Sequence, residues 1–301
     1  MGQFEDMALF VKIVESGSIT ATANQLNLAK SAISRRLSEL EGRLGVQLLT
    51  RTTRRSSLTE AGQMFYNQAQ KILSDTEEMV ASVSIAKSEL SGTLKIAAPL
   101  SFGLKHLAPV VNSFAAAHPG LIIDLNFADH QINLVEEGVD LAIRIANLES
   151  SSLIARRFTT IRHRLYASPK YLETHTPLHH PSQFSDHKFL RYKSPSGMMY
   201  QVSDPSGEQF DLGGKTAMIS NNGDFLRQAA IDGLGLCFSP TFICWEDLKS
   251  GALVEVLPKY KAVELGAYAI YPQTRYLSSR VRLFIDHLTA NFGDTPYWDA
   301  A

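Results

Sequence analysis

Residues 18–44 read SITATANQLNLAKSAISRRLSELEGRL, and this stretch predicts two short helices joined by a tight turn. Ser18 is a good N-cap, because its hydroxyl accepts hydrogen bonds from the free N–H groups of a first helical turn. Asn27 falls at the turn, and Asn tolerates left-handed backbone geometry better than most residues. The stretch therefore has the arrangement of a helix-turn-helix.

The second helix of this pair has one apolar face. From Lys30 onward, apolar side chains recur at steps of four, three and four, which is the spacing of one face of a helix. The opposite face near the start of the helix carries charged and hydroxyl side chains, which suit the major groove of DNA. The apolar residues are Ile33, Leu37, Leu40 and Leu44, and the candidate DNA contacts are Lys30, Ser31, Ser34, Arg35 and the neighbouring Arg36.

The distribution of charge supports a nucleic-acid partner, although the net charge of −1 does not. Between positions 30 and 55 the chain has seven Lys and Arg residues and two Glu residues. A local basic patch in a nearly neutral chain is typical of a DNA-binding module attached to something else. A length of 301 residues favours two or three domains over a single compact core.

Two further segments complete the predicted DNA-binding module. Residues 4–16 form an amphipathic helix that ends at Gly17 and packs behind the helix-turn-helix as a three-helix core. Residues 46–59, VQLLTRTTRRSSLT, have the β-branched and polar mixture of a small hairpin. Its Arg51, Arg54 and Arg55 suit phosphate oxygens, so the hairpin is interpreted as a wing that lies along the DNA backbone. The alternative is a solvated basic loop.

A long periodic helix follows, with Thr59 as its N-cap and an end near position 90. Apolar residues alternate steps of four and three, which is the seam of a coiled coil and calls for a partner helix. The alternative is a helix packed on its own domain. The candidate dimerisation residues are Phe65, Ile72, Met79 and Val83.

The sequence changes character after Ser91-Gly92, where strand and helix patterns begin to alternate. This alternation predicts parallel sheets with right-handed crossovers, arranged as two α/β lobes. We expect the chain to cross between the lobes near 162–167, to return near 265–271, and to end in a loose tail from Gly293. The predicted strands are 93–98, 121–127, 140–145, 234–239 and 265–270, and the predicted helices are 104–117, 132–137, 223–232, 241–249 and 279–291.

A ligand site is predicted at the carboxyl ends of these strands, where open α/β sheets bind ligands. Ser101 lies at a predicted helix start, which is suited to a carboxylate. Asp129 adds a negative charge to the rim and weakens the case for a strongly anionic ligand. Arg144 is either an anion clamp or structural, and the sequence leaves both open. The candidate effector contacts are Leu100, Ser101, Phe102, Asp129, His130, Ala146, Asn221, Asn222 and Pro240.

Several other classes of protein find little support. Cys237 and Cys244 form no disulfide framework and no zinc set, and are interpreted as reduced residues of a cytoplasmic protein rather than a redox pair. Charged residues interrupt the N-terminus, so no signal peptide is expected, and no run approaches the about 20 apolar residues that span a bilayer. DLGGKT at 211–216 has Gln209 where a phosphate loop needs Gly.

The remaining rivals concern metals and catalysis. The run HTPLHHPSQFSDH contains His175, His179, His180 and His187, but its prolines indicate a solvated loop rather than a metal site. The chain has no H-E-x-x-H and no G-x-S-x-G, so we expect no enzyme. A stronger rival is a DNA-binding protein whose α/β half senses nothing and serves only assembly.

These segments together resemble the LysR-type transcriptional regulators. The likeness covers nearly the whole chain: residues 10–51, the LTEAG at 58–62, LVEEGVDLAIRI at 134–145, the HP-G turn, and DGLGLCFSP at 232–240. Thr22-Ala23 in place of paired alanines, and LLTR in place of LF-R, are mild departures. The resemblance implies an α/β protein with an all-α winged helix-turn-helix and a two-lobed, Rossmann-like type II periplasmic-binding-protein fold.

The same resemblance implies partners and domain bounds. It implies promoter DNA, a dimer or tetramer, and a small-molecule effector between the lobes, without a further cofactor. By motif position it adds Ala32 to the DNA contacts. The expected domains are 1–59 for DNA binding, 60–90 for the linker helix and 91–301 for effector binding, with lobe 1 at 91–163 and 268–292 and lobe 2 at 164–267.

Overall fold

The computed structural model describes residues 2–51, 56–83, 90–129, 133–134, 136–147, 153–193, 201–273 and 277–299. Its N-terminal part is a helix-turn-helix with a hairpin beside it. Ser18 Oγ accepts from the backbone N–H of Ala21 at 3.1 Å, and Asn27 is left-handed at φ 53°, as predicted. The elements are α1 (Gln3–Ser16), α2 (Ile19–Leu26), α3 (Lys30–Leu44), β1 (Leu49–Arg51) and β2 (Ser56–Leu58).

The predicted helical core is confirmed. Ile33, Leu37 and Leu40 of α3 are buried against Phe10 and Ile13 of α1. β1 and β2 pair antiparallel, which confirms the hairpin. Helix α4 (Glu60–Val83) begins where predicted, with the Gly62 N–H donating to Thr59 Oγ1 at 2.9 Å. The helix was predicted to continue to about position 90, and residues 84–89 lie outside the described residues.

Lobe 1 is a mixed sheet in the order β4-β3-β5-β14-β6. β3 runs parallel to β4 and β5, as predicted, while β14 is antiparallel to β5 and β6. Buried side chains of α6 and α10 fill its main core. Its elements are β3 (Gly92–Ala98), α5 (Leu100–Phe102), a π-helical turn (Gly103–Leu107), α6 (Ala108–Ala117), β4 (Leu121–Phe127), β5 (Leu141–Ala146), β6 (Leu153–Ile161), β14 (Leu265–Pro272) and α10 (Ser279–Phe292).

Two predicted elements of lobe 1 differ from the structure. The segment after β3 is helical from Leu100, although this helix was predicted to begin at 104. A Cβ at Gly103 would lie 2.2 Å from the Phe127 ring, so this glycine allows close packing instead of ending a helix. The predicted helix at 132–137 is also wrong where it is described, because residues 136–138 form turns.

Lobe 2 has a second mixed sheet, in the order β11-β8-β12-β7-β13. A small antiparallel pair, β9 with β10, lies outside it. The elements are β7 (His163–Ala167), α7 (Pro169–Thr174), a 3-10 helix (Pro181–Asp186), β8 (Lys188–Tyr192), β9 (Gln201–Ser203), β10 (Gln209–Asp211), β11 (Lys215–Ser220), α8 (Gly223–Ile231), β12 (Leu236–Pro240), α9 (Thr241–Ser250) and β13 (Val254–Glu255).

The chain passes from lobe 1 to lobe 2 at Arg162 and returns between β13 and β14, close to the predicted crossings. The prediction of a loose tail was wrong, because Trp298 is buried among the rings of Phe102, Phe242 and Phe292. Indole burial is strongly favourable, so the tail packs against the body. Among the described residues, no helix has the length and apolar character needed to span a membrane.

Candidate functional site

The start of α3 presents an exposed polar face on top of a buried apolar one. Lys30 and Ser31 are exposed, and the Arg35 side chain is 77% exposed. Ala32 and Ser34 are half-buried beside them. Arg35 meets Glu39 at 3.6 Å, but an exposed pair of this kind contributes little and exchanges readily for another partner. The face is therefore free to contact a major groove.

Arg36 departs from this group and requires a correction. Its Nη2 donates to Asp6 Oδ1 at 3.0 Å, and Arg43 donates to the other carboxylate oxygen at 2.5 Å. Burial alone would raise the pKa of Asp6, but hydrogen bonds from Arg43 and Arg36 outweigh it and lower the pKa. Arg36 thus ties α3 to α1, because its position on the helix points it toward α1 and away from the exposed face.

The hairpin is held in a fixed place beside α3. Glu41 Oε1 accepts from the N–H groups of Leu48 and Leu49 at 2.8 and 3.2 Å. Arg51 ends β1 opposite Ser56. The Arg51 side chain, together with Arg54 and Arg55, lies outside the described residues, so their predicted phosphate contacts stay predictions.

The predicted seam of α4 divides into two parts. Phe65 was predicted to face a partner helix, and the structure corrects this: its ring packs edge-on against Phe10 at 5.3 Å, inside the chain's own domain. Ile72 and Met79 are 43% and 60% exposed and suit a partner helix. The Val83 side chain lies outside the described residues. The first turns of α4 pack against the N-terminal domain of the same chain. The spacing of apolar residues shows that a face is buried, but not which helix covers it.

Three of the lobe 1 candidates lie at the start of the segment that follows β3. The Leu100 N–H donates to Asp129 Oδ1 at 3.1 Å, so the chain's own carboxylate satisfies this donor. Ser101 is half-buried, whereas Phe102 is fully buried among aromatic rings. Phe102 was predicted to contact an effector and is instead a core residue. Ala146 is half-buried at the end of β5, and His130 lies outside the described residues.

The lobe 2 candidates lie at the start of α8 and the end of β12. Asn222 caps α8, because its Oδ1 accepts from the Phe225 N–H at 2.9 Å, and Asn221 beside it is exposed. Pro240 ends β12 and is half-buried. Both places lie within two residues of a contact with lobe 1, at Asp224 and at Phe242.

A direct contact between the lobes was missed by sequence reasoning. Lys105 Nζ lies 2.5 Å from Asp224 Oδ1, and Ser101 lies beside the same carboxylate. Burial alone would raise the pKa of Asp224, but hydrogen bonds from Lys105 and Ser101 outweigh it and lower the pKa. The sequence did contain a signal for this contact. Lys105 and Asp224 have opposite charges and lie in two segments that were expected to face each other.

Other polar residues singled out in the sequence are distributed over the two lobes. Arg144 is half-buried on β5, with Tyr268 of β14 as its register partner, and burial lowers its pKa. Cys237 and Cys244 are free and buried, and burial raises the pKa of Cys237 to about 12. The four histidines of the 175–187 run lie in or beside the short helices of lobe 2. Across the described ranges, no set of three His, Cys, Asp or Glu is arranged to hold a metal.

Comparisons with known proteins agree with this two-part architecture. A family model described as "LysR substrate binding domain" matches residues 87–293, and one described as "Bacterial regulatory helix-turn-helix protein, lysR family" matches residues 4–63. An uncharacterised HTH-type transcriptional regulator of Haemophilus influenzae is 37% identical over 281 residues, covering 93% of this chain and 98% of that protein.

Solved structures with similar chains include whole regulators. CrgA, a LysR-type transcriptional regulator from Neisseria meningitidis, has a TM-score of 0.62 and 30% identity, covering 98% of this chain and 100% of its own. The Vibrio cholerae virulence activator AphB has a TM-score of 0.60 and 28% identity, covering 96% of this chain and 99% of its own. The fold described above is thus shared over whole chains.

Proposed function

This chain belongs to the LysR family of bacterial transcriptional regulators, and we propose that it reads promoter DNA through Lys30, Ser31, Ala32, Ser34 and Arg35. The exposure of Lys30, Ser31 and Arg35 above the buried face of α3 is the observation that carries this assignment. Arg51, Arg54 and Arg55 of the wing supply phosphate contacts, which fix the register of the module on the duplex. Arg36 serves to hold α3 on α1.

Pairing of two copies places two of these modules on one DNA site. Family members form oligomers, and the exposed Ile72 and Met79 of α4 suit a helix–helix seam, which Val83 continues along the sequence. A two-fold dimer reads half-sites about 10 bp apart, or a multiple of that spacing. Because promoter DNA is the target, the protein acts in the cytoplasm.

The C-terminal half binds a small-molecule effector between its lobes. The contacts come from Leu100, Ser101, Asp129, His130 and Ala146 of lobe 1 and from Asn221, Asn222 and Pro240 of lobe 2. The contact of Lys105 with Asp224 at 2.5 Å supports the placement, because it brings the two rims together. No further cofactor and no catalytic turnover enter this function.

Effector binding changes DNA binding by altering the lobes. A ligand shifts an equilibrium between two arrangements only if it binds them unequally. Closure or rotation of the lobes repacks the subunits and so changes the spacing and angle of the paired α3 helices. The effector-binding half therefore sets the spacing and angle of the two α3 helices on DNA.

A gel-shift assay tests the proposal. The DNA flanking the protein's own gene is titrated with and without a panel of small carboxylates and aromatic compounds. A change in DNA affinity with one compound supports effector control. DNA binding that no compound changes favours the rival function, in which the α/β half serves assembly alone, and turnover of a compound would indicate an enzyme.

A further inference from the structure

Contacts between the lobes converge on residues 100–107 of lobe 1, which include the π-helical turn. His106 Nε2 donates to the Phe242 carbonyl of lobe 2 at 3.0 Å, and the Tyr297 hydroxyl of the tail donates to His106 Nδ1 at 2.6 Å. His106 is buried, and burial lowers its pKa to about 4, so its ring is neutral and can accept at Nδ1. π-helical turns are rare and occur often at functional positions.

The contacts of His106 lie close to the crossing between the lobes. Phe242 follows Thr241, whose N–H donates to the Arg162 carbonyl at 2.8 Å. Phe102 packs edge-on against Phe242 at 5.3 Å, and Trp298 packs on both rings. This region is buried and apolar, so it holds the lobes together at the hinge and would be costly to separate.

The contacts of Asp224 are of a different kind. Its carboxylate lies 2.5 Å from Lys105 Nζ, with Ser101 beside it, and both charged side chains are 33% exposed. Arg227 approaches the same carboxylate at 3.9 Å but is committed to Asp247 at 2.7 Å. Asp224 is therefore a polar, partly solvated contact that can be exchanged while the apolar hinge stays packed.

We propose that the Lys105–Asp224 pair is a clasp that holds the lobes together without effector, and that a carboxylate-bearing effector opens it by replacing Asp224 on Lys105 and Ser101. This inference rests on the proposed function, in which an effector binds between the lobes. The exchange substitutes one carboxylate for another on the same donors, so few hydrogen bonds are lost. It specifies an anionic effector and, of closure and rotation, it selects a rotation of the lobes about the apolar hinge that releases α8 from lobe 1.

The distance between the lobes in the full chain tests the clasp without DNA. Spin labels are placed at the exposed positions Ala116 on α6 and Glu173 on α7 through cysteine substitutions. The native Cys237 and Cys244 are buried and stay unlabelled. Electron–electron resonance then gives the distribution of distances between lobe 1 and lobe 2.

Removal of either partner should open the lobes. Asp224→Ala and Lys105→Met should each shift the distribution by more than about 2 Å, the size of a clear domain rearrangement. Asp286→Ala is the matched control, because Asp286 pairs with Arg156 at 2.6 Å within lobe 1. Thermal melting of each variant verifies folding, which exposed substitutions of this kind should preserve. Shifts in both clasp variants no larger than in the control would overturn the clasp.

Competition by a free carboxylate tests the second half of the proposal. Potassium acetate should lengthen the distance in the wild-type protein more than potassium chloride at the same concentration, and should leave Asp224→Ala unchanged. Equal effects of acetate and chloride would overturn carboxylate exchange. These distances are independent of DNA affinity, so failure of the clasp and failure of effector control give separate results.

Discussion

At the scale of single residues, Arg35 and Arg36 show how neighbouring identical side chains acquire different roles. The Arg35 side chain is largely exposed, whereas the Arg36 guanidinium binds the Asp6 carboxylate of α1. The sequence predicted both as DNA contacts, because a local count of charge does not include a carboxylate 30 positions away. Exposure, not charge alone, therefore distinguishes Arg35 as the proposed DNA contact.

Substitution of Arg35 tests this selection. Arg35→Ala should weaken binding to the specific site by roughly 1–3 kcal/mol and relax base preference, if Arg35 reads a base edge. Fluorescence anisotropy on specific and random DNA measures both effects. Ser38→Ala, further along the same exposed side of α3, is a control. An equal loss on specific and random DNA would reassign Arg35 to a phosphate.

The Asp6 pair predicts acid sensitivity of the DNA-binding domain. The folded pKa of Asp6 lies below its ordinary value, so the charged form stabilises the fold above that ordinary value, and this stability is lost as the pH falls through the folded pKa. Asp6→Asn should lower the free energy of unfolding at neutral pH by roughly 1.5–3 kcal/mol. The difference from wild type should shrink below about pH 4. A pH-independent difference in denaturant melts would contradict the role of charge.

At the scale of elements, Gly62 of α4 and Gly42 of α3 have different surroundings. A Cβ at Gly62 of α4 would lie 1.9 Å from the Leu48 carbonyl, so glycine lets α4 approach the hairpin. A Cβ at Gly42 of α3 meets nothing within 4 Å. The LTEAG segment therefore contributes both a cap, Thr59, and a close contact that fixes the angle of α4 on the DNA-binding domain.

This pair of glycines gives a matched prediction. Gly62→Ala should lower the free energy of unfolding, because α4 must move, although Ala has the better helix propensity. Gly42→Ala should raise the free energy of unfolding by up to about 1 kcal/mol, which is the propensity difference alone. Chemical denaturation measures both changes. If both substitutions raise the free energy of unfolding, glycine at position 62 is not required for the packing of α4 against the hairpin.

The exposed part of α4 gives a prediction about assembly. Met79→Asp should shift the protein toward smaller species, because it places a charge in the proposed seam. Gln63→Asp, elsewhere on the exposed surface of the same helix, is the control and should leave the oligomer intact. Light scattering coupled to size-exclusion chromatography measures the mass. A native oligomer in Met79→Asp would remove Met79 from the seam.

At the scale of the whole molecule, local patterns predicted elements but not the contacts that join them. Periodicity and caps placed α2, α3, β4 and α9 within a few residues, since their signals lie within each segment. Burial of Trp298, the pairing of Lys105 with Asp224, and packing of Phe65 on Phe10 all depend on residues far apart in sequence. The predicted site therefore included Phe102, a core residue, and omitted the cross-lobe pair.

Further long-range contacts, made by α4, link the three functional parts of the chain. Asn67 of α4 donates to the Glu136 carbonyl of lobe 1 at 3.0 Å, and Lys95 Nζ donates to Gln70 Oε1 at 3.2 Å. The same helix packs on α1 through Phe65. A change in lobe 1 thus has a physical route to the DNA-binding domain through α4.

The central claim is that a pair of α3 helices reads two half-sites at a spacing that the effector-binding half controls. Footprinting of the full-length protein on the DNA flanking its own gene tests it most directly, with and without the small carboxylates. We expect two protected half-sites about 10 bp apart or a multiple of that spacing, with a pattern that changes when one carboxylate is added. A single protected site, or a pattern that no carboxylate alters, would contradict it.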